Sequence, residues 1–317
     1  MRRFVLAAAL ALTLVPAGHA AVKLGVVGSP YRMHKQTNQV SEVRLRFTGW
    51  GGGWRWGGKW QAFLFDHPTP VMSFGTHGHY GSEAITPRGI ARGQGDNYLI
   101  AMNKAIADYG KPVYIRPMAE MNNWRNFYCA FNQYGASRGR SHSTKSFKQG
   151  FRRLYTILHG GDVATLNARL ARLNLPKLRT SRTTLPQLPV PTLKIVWNPM
   201  GFGSPDTRAN SAQAYYPGNS YVDVVADDIY DMGGRYEYEA MVDLYRAHPK
   251  KPFALGEFGL WGLDDPGFIR AIGTFMNRHA RTEFAVYYNS ARGSEFDLSD
   301  KSRSSQAYKR YVTPLGG

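Results

Sequence analysis

Short apolar runs alternate with longer amphipathic segments along most of the chain. Eight of these runs are rich in β-branched and aromatic residues, which is typical of buried strands. They begin at residues 22, 43, 69, 113, 193, 221, 252 and 284. Between several of them, apolar residues recur at helical spacing, as in 98–109, 147–158 and 236–247, and Asp265-Pro266 marks a helix start. A further helix is predicted over 304–312.

Eight strands that alternate with helices in about 300 residues predict an α/β fold, a (β/α)₈ TIM barrel formed by a single domain. A doubly wound sheet is the rival arrangement. It is disfavoured because no Gly-rich dinucleotide-binding motif follows the first strand.

The first twenty residues have the pattern of a secretory signal peptide. Arg2 and Arg3 precede an apolar run over residues 4–15, and a small-x-small cleavage site ends at Ala20. No other run approaches the roughly 18 apolar residues that a membrane span needs. We therefore expect cleavage after Ala20 and a barrel domain over 21–317. The mature protein is expected to be extracellular or periplasmic, without a transmembrane segment.

The chain is strongly basic, with 40 Lys and Arg against 22 Asp and Glu and a formal net charge of +18. Eleven basic residues lie between Arg138 and Arg182, with Asp162 as the one acid among them. Such a segment suits an anionic polymer or an envelope surface. No nucleic-acid-binding motif accompanies it, so no specific nucleic-acid partner is expected. The single cysteine, Cys129, excludes an internal disulfide.

Polar side chains gather where two predicted strands end. The fourth strand runs into Arg116 and Glu120, and the seventh carries Glu257. In a barrel these ends meet on one face, where active sites lie. Two carboxylates at a sugar site indicate glycoside cleavage, in which a retaining enzyme uses one neutral acid and one ionised nucleophile about 5–5.5 Å apart. Arg116 and Tyr230 are candidates to keep Glu257 ionised and oriented.

Every tryptophan lies in or just after the C-terminal half of a predicted strand, including the cluster Trp50, Trp54, Trp56 and Trp60. Flat indoles around a barrel mouth suit stacking on sugar rings. His77 and His79 have the spacing of metal ligands, but no clear third ligand is evident, and sugar binding is preferred. No metal or cofactor is expected. The predicted substrate-binding residues are Trp50, His77, Arg116, Asn122, Trp124, Trp197, Tyr230 and Trp261, with Asn198 as a further candidate.

From about Ile85 to Gly262 the chain resembles glycoside hydrolase family 26, the β-mannanase family. The resemblance rests on the order and spacing of ITPRG…GDNY, IRPMAEMNNW, KIVWNP, YYPGNSYVDVVADDIY and KPFALGEFG. It implies a retaining barrel enzyme whose acid/base ends the fourth strand and whose nucleophile ends the seventh. Glu120 and Glu257 fall on these two positions.

The same resemblance places Tyr230 on the tyrosine that hydrogen-bonds the nucleophile, and Trp124 on the aromatic residue that follows the acid/base. Two positions depart from the family pattern. Ala119 stands where the family usually has histidine, and Ala226-Asp227 stands where a glycine and a small or apolar residue are commoner. The missing imidazole leaves the identity of the sugar open.

We therefore predict a secreted retaining endo-β-glycanase acting on a polysaccharide, with β-mannanase activity (endo-1,4-β-mannosidase) as the first choice. One alternative is the same machinery acting on another, acidic β-glycan or exopolysaccharide, because Arg125, Arg138, Arg140 and Lys145 fall on the catalytic face. The basic residues from Arg169 to Arg182 are expected on the opposite face. A non-catalytic glycan-binding barrel is the other alternative, although the glutamate pair favours an enzyme.

Overall fold

The computed structural model describes residues 20–51, 64, 69–78 and 81–317. Eight parallel strands close into a barrel in the order β1-β10-β9-β8-β7-β4-β3-β2. The strands are β1 (Lys23–Val27), β2 (Val43–Thr48), β3 (Thr69–Phe74), β4 (Val113–Pro117), β7 (Leu193–Trp197), β8 (Val224–Met232), β9 (Phe253–Trp261) and β10 (Thr282–Tyr288). A separate antiparallel pair joins β5 (Gly161–Asp162) to β6 (Thr184–Leu185). The (β/α)₈ prediction is confirmed.

Helices surround the barrel. They are α1 (Pro30–Thr37), α2 (Pro87–Ala91), α3 (Asp96–Tyr109), α4 (Thr144–His159), α5 (Val163–Arg172), α6 (Ala212–Tyr215), α7 (Tyr238–Ala247), α8 (Pro266–Arg278) and α9 (Ser302–Tyr311). The predicted helix signals operate locally: Asp265 caps α8 by accepting a bond from the Gly267 N–H, and Gly110 ends α3 with φ +66°. No helix in the described part of the chain is long and apolar enough to cross a membrane. The predicted signal peptide lies outside the described residues apart from Ala20, and stays a prediction.

The barrel has two hydrophobic layers because each parallel strand is buried on both faces. Alternate strand residues fill the interior, including Leu45, Val71, Val196, Val224 and Val286. The residues between them point outward and pack against the helices in a larger core. The alternation decides which side chains at the strand ends can reach the mouth of the barrel.

The basic segment between β4 and β7 is tied to the barrel by a buried ion pair. Arg153 on α4 makes two parallel bonds to Asp96, with Nε–Oδ1 2.7 Å and Nη2–Oδ2 2.6 Å. The same guanidinium donates to the carbonyls of Pro176 (2.7 Å) and Lys177 (3.1 Å), and Asp96 Oδ2 accepts from the Arg179 N–H at 2.8 Å. This pair therefore clamps the return of the inserted segment onto α3 and α4.

The clamp corrects one expectation about the basic segment. Asp96 begins α3, and the first turn of an outer helix lies at the same end of the barrel as the C-terminal ends of the strands. The segment around Lys177 and Arg179 therefore returns towards the catalytic end of the barrel. The sequence places it before β7 and so predicted the opposite end, because sequence order alone does not show that a connecting segment turns back.

Breaking this clamp is expected to cost much more stability than breaking an exposed pair. Arg153→Met leaves the Asp96 carboxylate buried without its partner, so we expect a loss of about 3–5 kcal/mol in the free energy of unfolding. Urea titration followed by circular dichroism measures it. The control is Lys104→Met, which removes an exposed i,i+4 pair with Asp108 and should cost about 0.5 kcal/mol or less. Equal losses in the two variants would contradict the clamp.

Candidate active site

A buried arginine lies at the centre of the polar cluster at the mouth of the barrel. Arg116 is the penultimate residue of β4 and is 1% exposed. Its Nη1 donates to Glu257 Oε1 at 2.6 Å, its Nη2 to Asp228, and its Nε to Asn198 Oδ1 at 2.8 Å. Gly256 makes room for this cluster, because a Cβ there would overlap Asn198 Oδ1 and lie 2.7 Å from Asp228 Oδ1. The Arg116 guanidinium thus joins β4 to side chains from β9, from β8 and from the end of β7.

Both oxygens of the Glu257 carboxylate have a hydrogen-bond donor. Arg116 bonds Oε1, and the Tyr230 hydroxyl donates to Oε2 at 2.6 Å. Burial and then the neighbouring Glu257 charge raise the pKa of Tyr230 well above its ordinary value, so the hydroxyl keeps its proton and remains a donor. The two partners predicted for Glu257 are therefore the ones that hold it.

Glu120 is held by its backbone. Its φ of +51° lies in the left-handed region, which costs a non-glycine residue on the order of 1–3 kcal/mol. The Glu120 N–H donates to the Asn198 carbonyl at 2.6 Å, and the Glu120 carbonyl accepts from Asn126 Nδ2 at 2.9 Å. These bonds fix the residue in a conformation that it would otherwise avoid.

The electrostatic surroundings of Glu120 favour its protonated form. Burial raises the pKa of Glu120, and the negative charge of Glu257 raises it further. Three groups oppose this shift without cancelling it: Asn123 Nδ2 donates to Glu120 Oε2 at 3.0 Å, Arg116 contributes its positive charge, and Asp228 contributes a hydrogen bond. Glu120 is thus set up to carry a proton, and so is Asp228, because burial raises the pKa of Asp228 well above its ordinary value.

Glu120 and Glu257 open into one cavity of about 310 Å³. Its wall combines the predicted His77 and Arg116 with several aromatic rings: Phe47, Phe74, Phe127, Tyr128 and Tyr288. Phe47 and Tyr288 come from the ends of β2 and β10 and were not among the predicted site residues. A mixed aromatic and polar wall around two carboxyl groups can hold a sugar ring and cleave a bond to it.

Two predicted tryptophans lie in the outer core and not at the mouth. Trp50 is 6% exposed and packs on Tyr98 of α3, with ring centroids 4.7 Å apart. Trp197 is fully buried and packs on Tyr216, with centroids 4.8 Å apart. Their prediction as substrate-binding residues is wrong, because each indole faces the layer between strands and helices, where large apolar surfaces are buried.

Asn122 is also engaged elsewhere. Its Nδ2 donates to the carbonyls of Met200 (2.9 Å) and Phe202 (3.1 Å), and its Oδ1 accepts from the Met200 N–H at 2.9 Å. The side chain is fully buried. Asn122 therefore joins the loop after β4 to the loop after β7 and has no free group for substrate. Asn198 likewise uses its Oδ1 on Arg116.

The other predicted aromatics lie on the rim. Trp124 lines an adjoining cavity of about 350 Å³ with Arg125 and Tyr134, and Phe127 lines both cavities. Trp261 is 41% exposed, with its ring centroid 6.4 Å from that of Tyr230. The remaining candidates His79, Trp54, Trp56 and Trp60 lie outside the described residues.

Asp227 lies beside the site, where its side chain bonds the backbone. Its Oδ1 accepts from the N–H groups of Gly201 (2.8 Å) and Asp228 (2.9 Å), as a residue that caps the next loop does. Burial raises the pKa of Asp227 to about 8. No group of three His, Cys, Asp or Glu suited to a metal ion occurs among the described residues.

One protein-family model matches the part of the chain that contains Tyr230 and Glu257. Residues 194–306, just over a third of the chain, match the model described as Glycosyl hydrolase family 26. The matched range includes Tyr230 and Glu257, and Glu120 lies outside it. The match confirms the resemblance predicted from the sequence motifs. No curated protein matches the chain by sequence.

Solved structures share the fold at low sequence identity. The mannanase BCman from Bacillus subtilis is 16% identical, with a TM-score of 0.57 over 95% of this chain and 88% of that one. A β-mannanase from Bacteroides ovatus, BoMan26A, is 14% identical, with a TM-score of 0.59 over 93% and 89%. Likeness at this level supports the barrel architecture.

The raised pKa of Asp227 predicts a pH dependence of stability. The folded form binds this proton more tightly than the unfolded form does. The stabilisation of the folded state by this proton is therefore complete below the pKa of Asp227 in the unfolded chain, and it is lost as the pH rises towards about 8. Asp227→Asn should flatten the decline of unfolding free energy between about pH 4 and 8. Urea titrations across this range measure it, with exposed Asp243→Asn as control, and an unchanged slope would contradict the assignment.

Proposed function

We propose that the chain is a glycoside hydrolase of family 26 and that it acts as a secreted, retaining endo-β-mannanase. The observation that carries the proposal is the pair of glutamates in one cavity, with Glu257 held by Arg116 and Tyr230 and with the pKa of Glu120 raised. The choice of mannan draws support from the mannanase structures that share the fold. We also propose that residues 1–20 direct export, which leaves the barrel domain over 21–317.

In the first step the Glu257 carboxylate attacks the anomeric carbon of the sugar, and the bond from that carbon to the glycosidic oxygen breaks. Glu120 transfers its proton to the departing oxygen. The products of this step are a shortened chain with a new hydroxyl group and a sugar bound covalently to Glu257. The Arg116 and Tyr230 bonds hold both oxygens of Glu257 in position before the attack.

In the second step Glu120, now ionised, takes a proton from a water molecule that attacks the anomeric carbon. The bond to Glu257 breaks, and the sugar leaves with its original configuration. The change of role has a physical cause. The Glu257 charge helps to raise the pKa of Glu120, and this charge is absent while Glu257 carries the sugar. The pKa of Glu120 therefore falls when a base is needed.

The rim supplies surfaces for further sugar units. Phe127 connects the cavity of the two glutamates to the cavity of Trp124 and Tyr134, and Tyr134 is 84% exposed. Exposed rings next to a cleavage cavity suit stacking on a chain that extends past the cleaved bond. This continuity supports endo action.

Ala119 also lines the cleavage cavity, and its carbonyl accepts from the Tyr128 hydroxyl at 2.6 Å.

The central test is a reducing-sugar assay of the mature protein on β-1,4-mannan and a panel of other neutral and acidic β-glycans. Glu257→Gln and Glu120→Gln should each lower kcat by at least about 10²–10⁴-fold, because each removes a reacting group. Exposed Glu239→Gln on α7 is the matched control and should retain full activity. Activity on mannan that survives either site substitution would overturn the proposal, and activity on another glycan alone would replace mannan as the substrate.

Azide rescue separates the two roles on an activated aryl β-manno-oligosaccharide. In Glu120→Ala, azide should attack the glycosyl-enzyme in place of water and give a product with retained configuration. In Glu257→Ala, azide should take the place of the missing nucleophile and give the inverted product. The opposite pairing of variant and configuration would show that the two roles are exchanged.

Asn123 should tune the pH profile. Its amide donates to the charged form of Glu120, so Asn123→Ala should raise the pKa of Glu120 still further. Because Glu120 must begin the reaction protonated, the alkaline limb of kcat/KM is expected to move to higher pH. A pH–rate profile measures the shift. An alkaline limb that stays in place or moves to lower pH would contradict the role of Glu120 as the acid.

A further inference from the structure

A second cavity, of about 400 Å³, has an uncompensated positive lining. Four basic side chains line it: Arg88 and Arg92 from α2 and its C-terminus, Arg140 from the loop after β4, and Lys145 from the first turn of α4. No Asp or Glu is among its lining residues. Positive side chains around a concave surface repel each other, and a bound anion lowers this electrostatic repulsion.

The four cations have no acidic partner within the described part of the chain. None of them takes part in an ion pair there, whereas the nearby carboxylates are already used. Asp96 is paired with Arg153, and Glu83 with His142 at 2.7 Å. The positive charge of the cavity is therefore available to a ligand.

The walls of the cavity are joined to each other by hydrogen bonds. The Arg88 N–H donates to the Ser141 carbonyl at 3.1 Å, and Ser146 Oγ donates to the Arg140 carbonyl at 2.6 Å. At Gly150 a Cβ would lie 2.8 Å from the Pro87 carbonyl, so α2 and α4 are in close contact. The backbone that presents the cations is thus organised before any ligand arrives, which lowers the entropic cost of binding.

This cavity lies at the catalytic end of the barrel. Lys145 lies in the first turn of α4, and first turns of outer helices face the same end as the strand C-termini. The two cavities share no lining residue, but contacts connect them: His142 precedes Ser143 of the basic cavity and bonds Glu83, Glu83 forms a β-bridge with His77, and His77 lines the cleavage cavity. A chain bound for cleavage and a group bound between α2 and α4 would share one face.

We propose that the cavity lined by Arg88, Arg92, Arg140 and Lys145 binds a carboxylate of an acidic polysaccharide, so that uronic-acid units are held beside the cleavage site. This rests on the proposed function and deepens it, because the mannan-type chain cleaved between Glu120 and Glu257 would also carry uronic-acid units. Guanidinium groups bind carboxylates through paired hydrogen bonds. The remaining polar lining, Ser143, Gln149 and Asn174, suits sugar hydroxyls. No aromatic ring lines the cavity for stacking of nucleic-acid bases.

The test is a direct binding titration at low ionic strength. Full-length mature protein in the Glu257→Gln background, which prevents cleavage, is titrated with β-1,4-mannuronate oligomers and with neutral β-1,4-manno-oligosaccharides of the same length. Arg92→Gln/Arg140→Gln/Lys145→Gln removes three exposed cations of the cavity. We expect this variant to bind the acidic oligomer at least about tenfold more weakly and the neutral oligomer unchanged.

The matched control is Arg278→Gln/Lys309→Gln/Arg310→Gln, which removes three exposed cations from the last turns of α8 and α9 at the opposite end of the barrel. It carries the same change in net charge and should alter binding less than about twofold. If both variants bound the acidic oligomer equally weakly, the effect would come from the net charge of the protein, and the proposed site would be overturned. Failure of the acidic oligomer to bind would also overturn it, as would tighter binding of a DNA duplex that depends on the same three residues. Binding is read without turnover, so an inactive wild-type enzyme would count against the proposed function alone.

Discussion

One buried guanidinium, that of Arg116, organises the mouth of this barrel. It bonds Glu257, Asp228 and Asn198 at once, and these side chains come from β9, β8 and the end of β7. A buried charge is costly unless it is paired and fully hydrogen-bonded, and its geometry is then tightly restricted. The position of Glu257 relative to the rest of the site follows from this restriction, and Tyr230 completes it from β8.

Arg116 also bears on the protonation of the carboxyl groups around it. Glu120, Glu257 and Asp228 lie within mutual electrostatic influence, and Arg116 is the cation that acts on all of them. One guanidinium cannot stabilise three carboxylates in a buried cluster, so a proton is retained there. Glu120 has an Asn123 amide and no direct bond from Arg116, and its pKa is raised. Burial raises the pKa of Asp228 as well, in spite of its bond to Arg116. The cluster therefore keeps its protons on Glu120 and Asp228, while Arg116 and Tyr230 hold Glu257 in place.

The sequence predicted the barrel and the pair of glutamates because both follow from local patterns. Buried strands have a recognisable composition, and the end of a parallel strand places a side chain at the catalytic face. The tryptophans show what such patterns omit. As predicted, Trp197 ends a strand and Trp50 follows one. Whether each side chain points towards the mouth or towards the helices depends on the strand register, which the positions of tryptophans in the sequence do not show. The bond between Arg116 and Asp228 joins residues 112 positions apart in the chain, which no local pattern brings together.

The most direct test of this account is a ¹³C NMR titration of the Glu120 side-chain carboxyl, assigned by comparison with Glu120→Gln. The account predicts that Glu120 keeps its proton above the ordinary range of glutamate. It also predicts that Glu257→Gln moves the titration of Glu120 to lower pH, because the second cause of the raised pKa is then removed. A Glu120 carboxyl that titrates in the ordinary range, or that is unaffected by loss of the Glu257 charge, would contradict it.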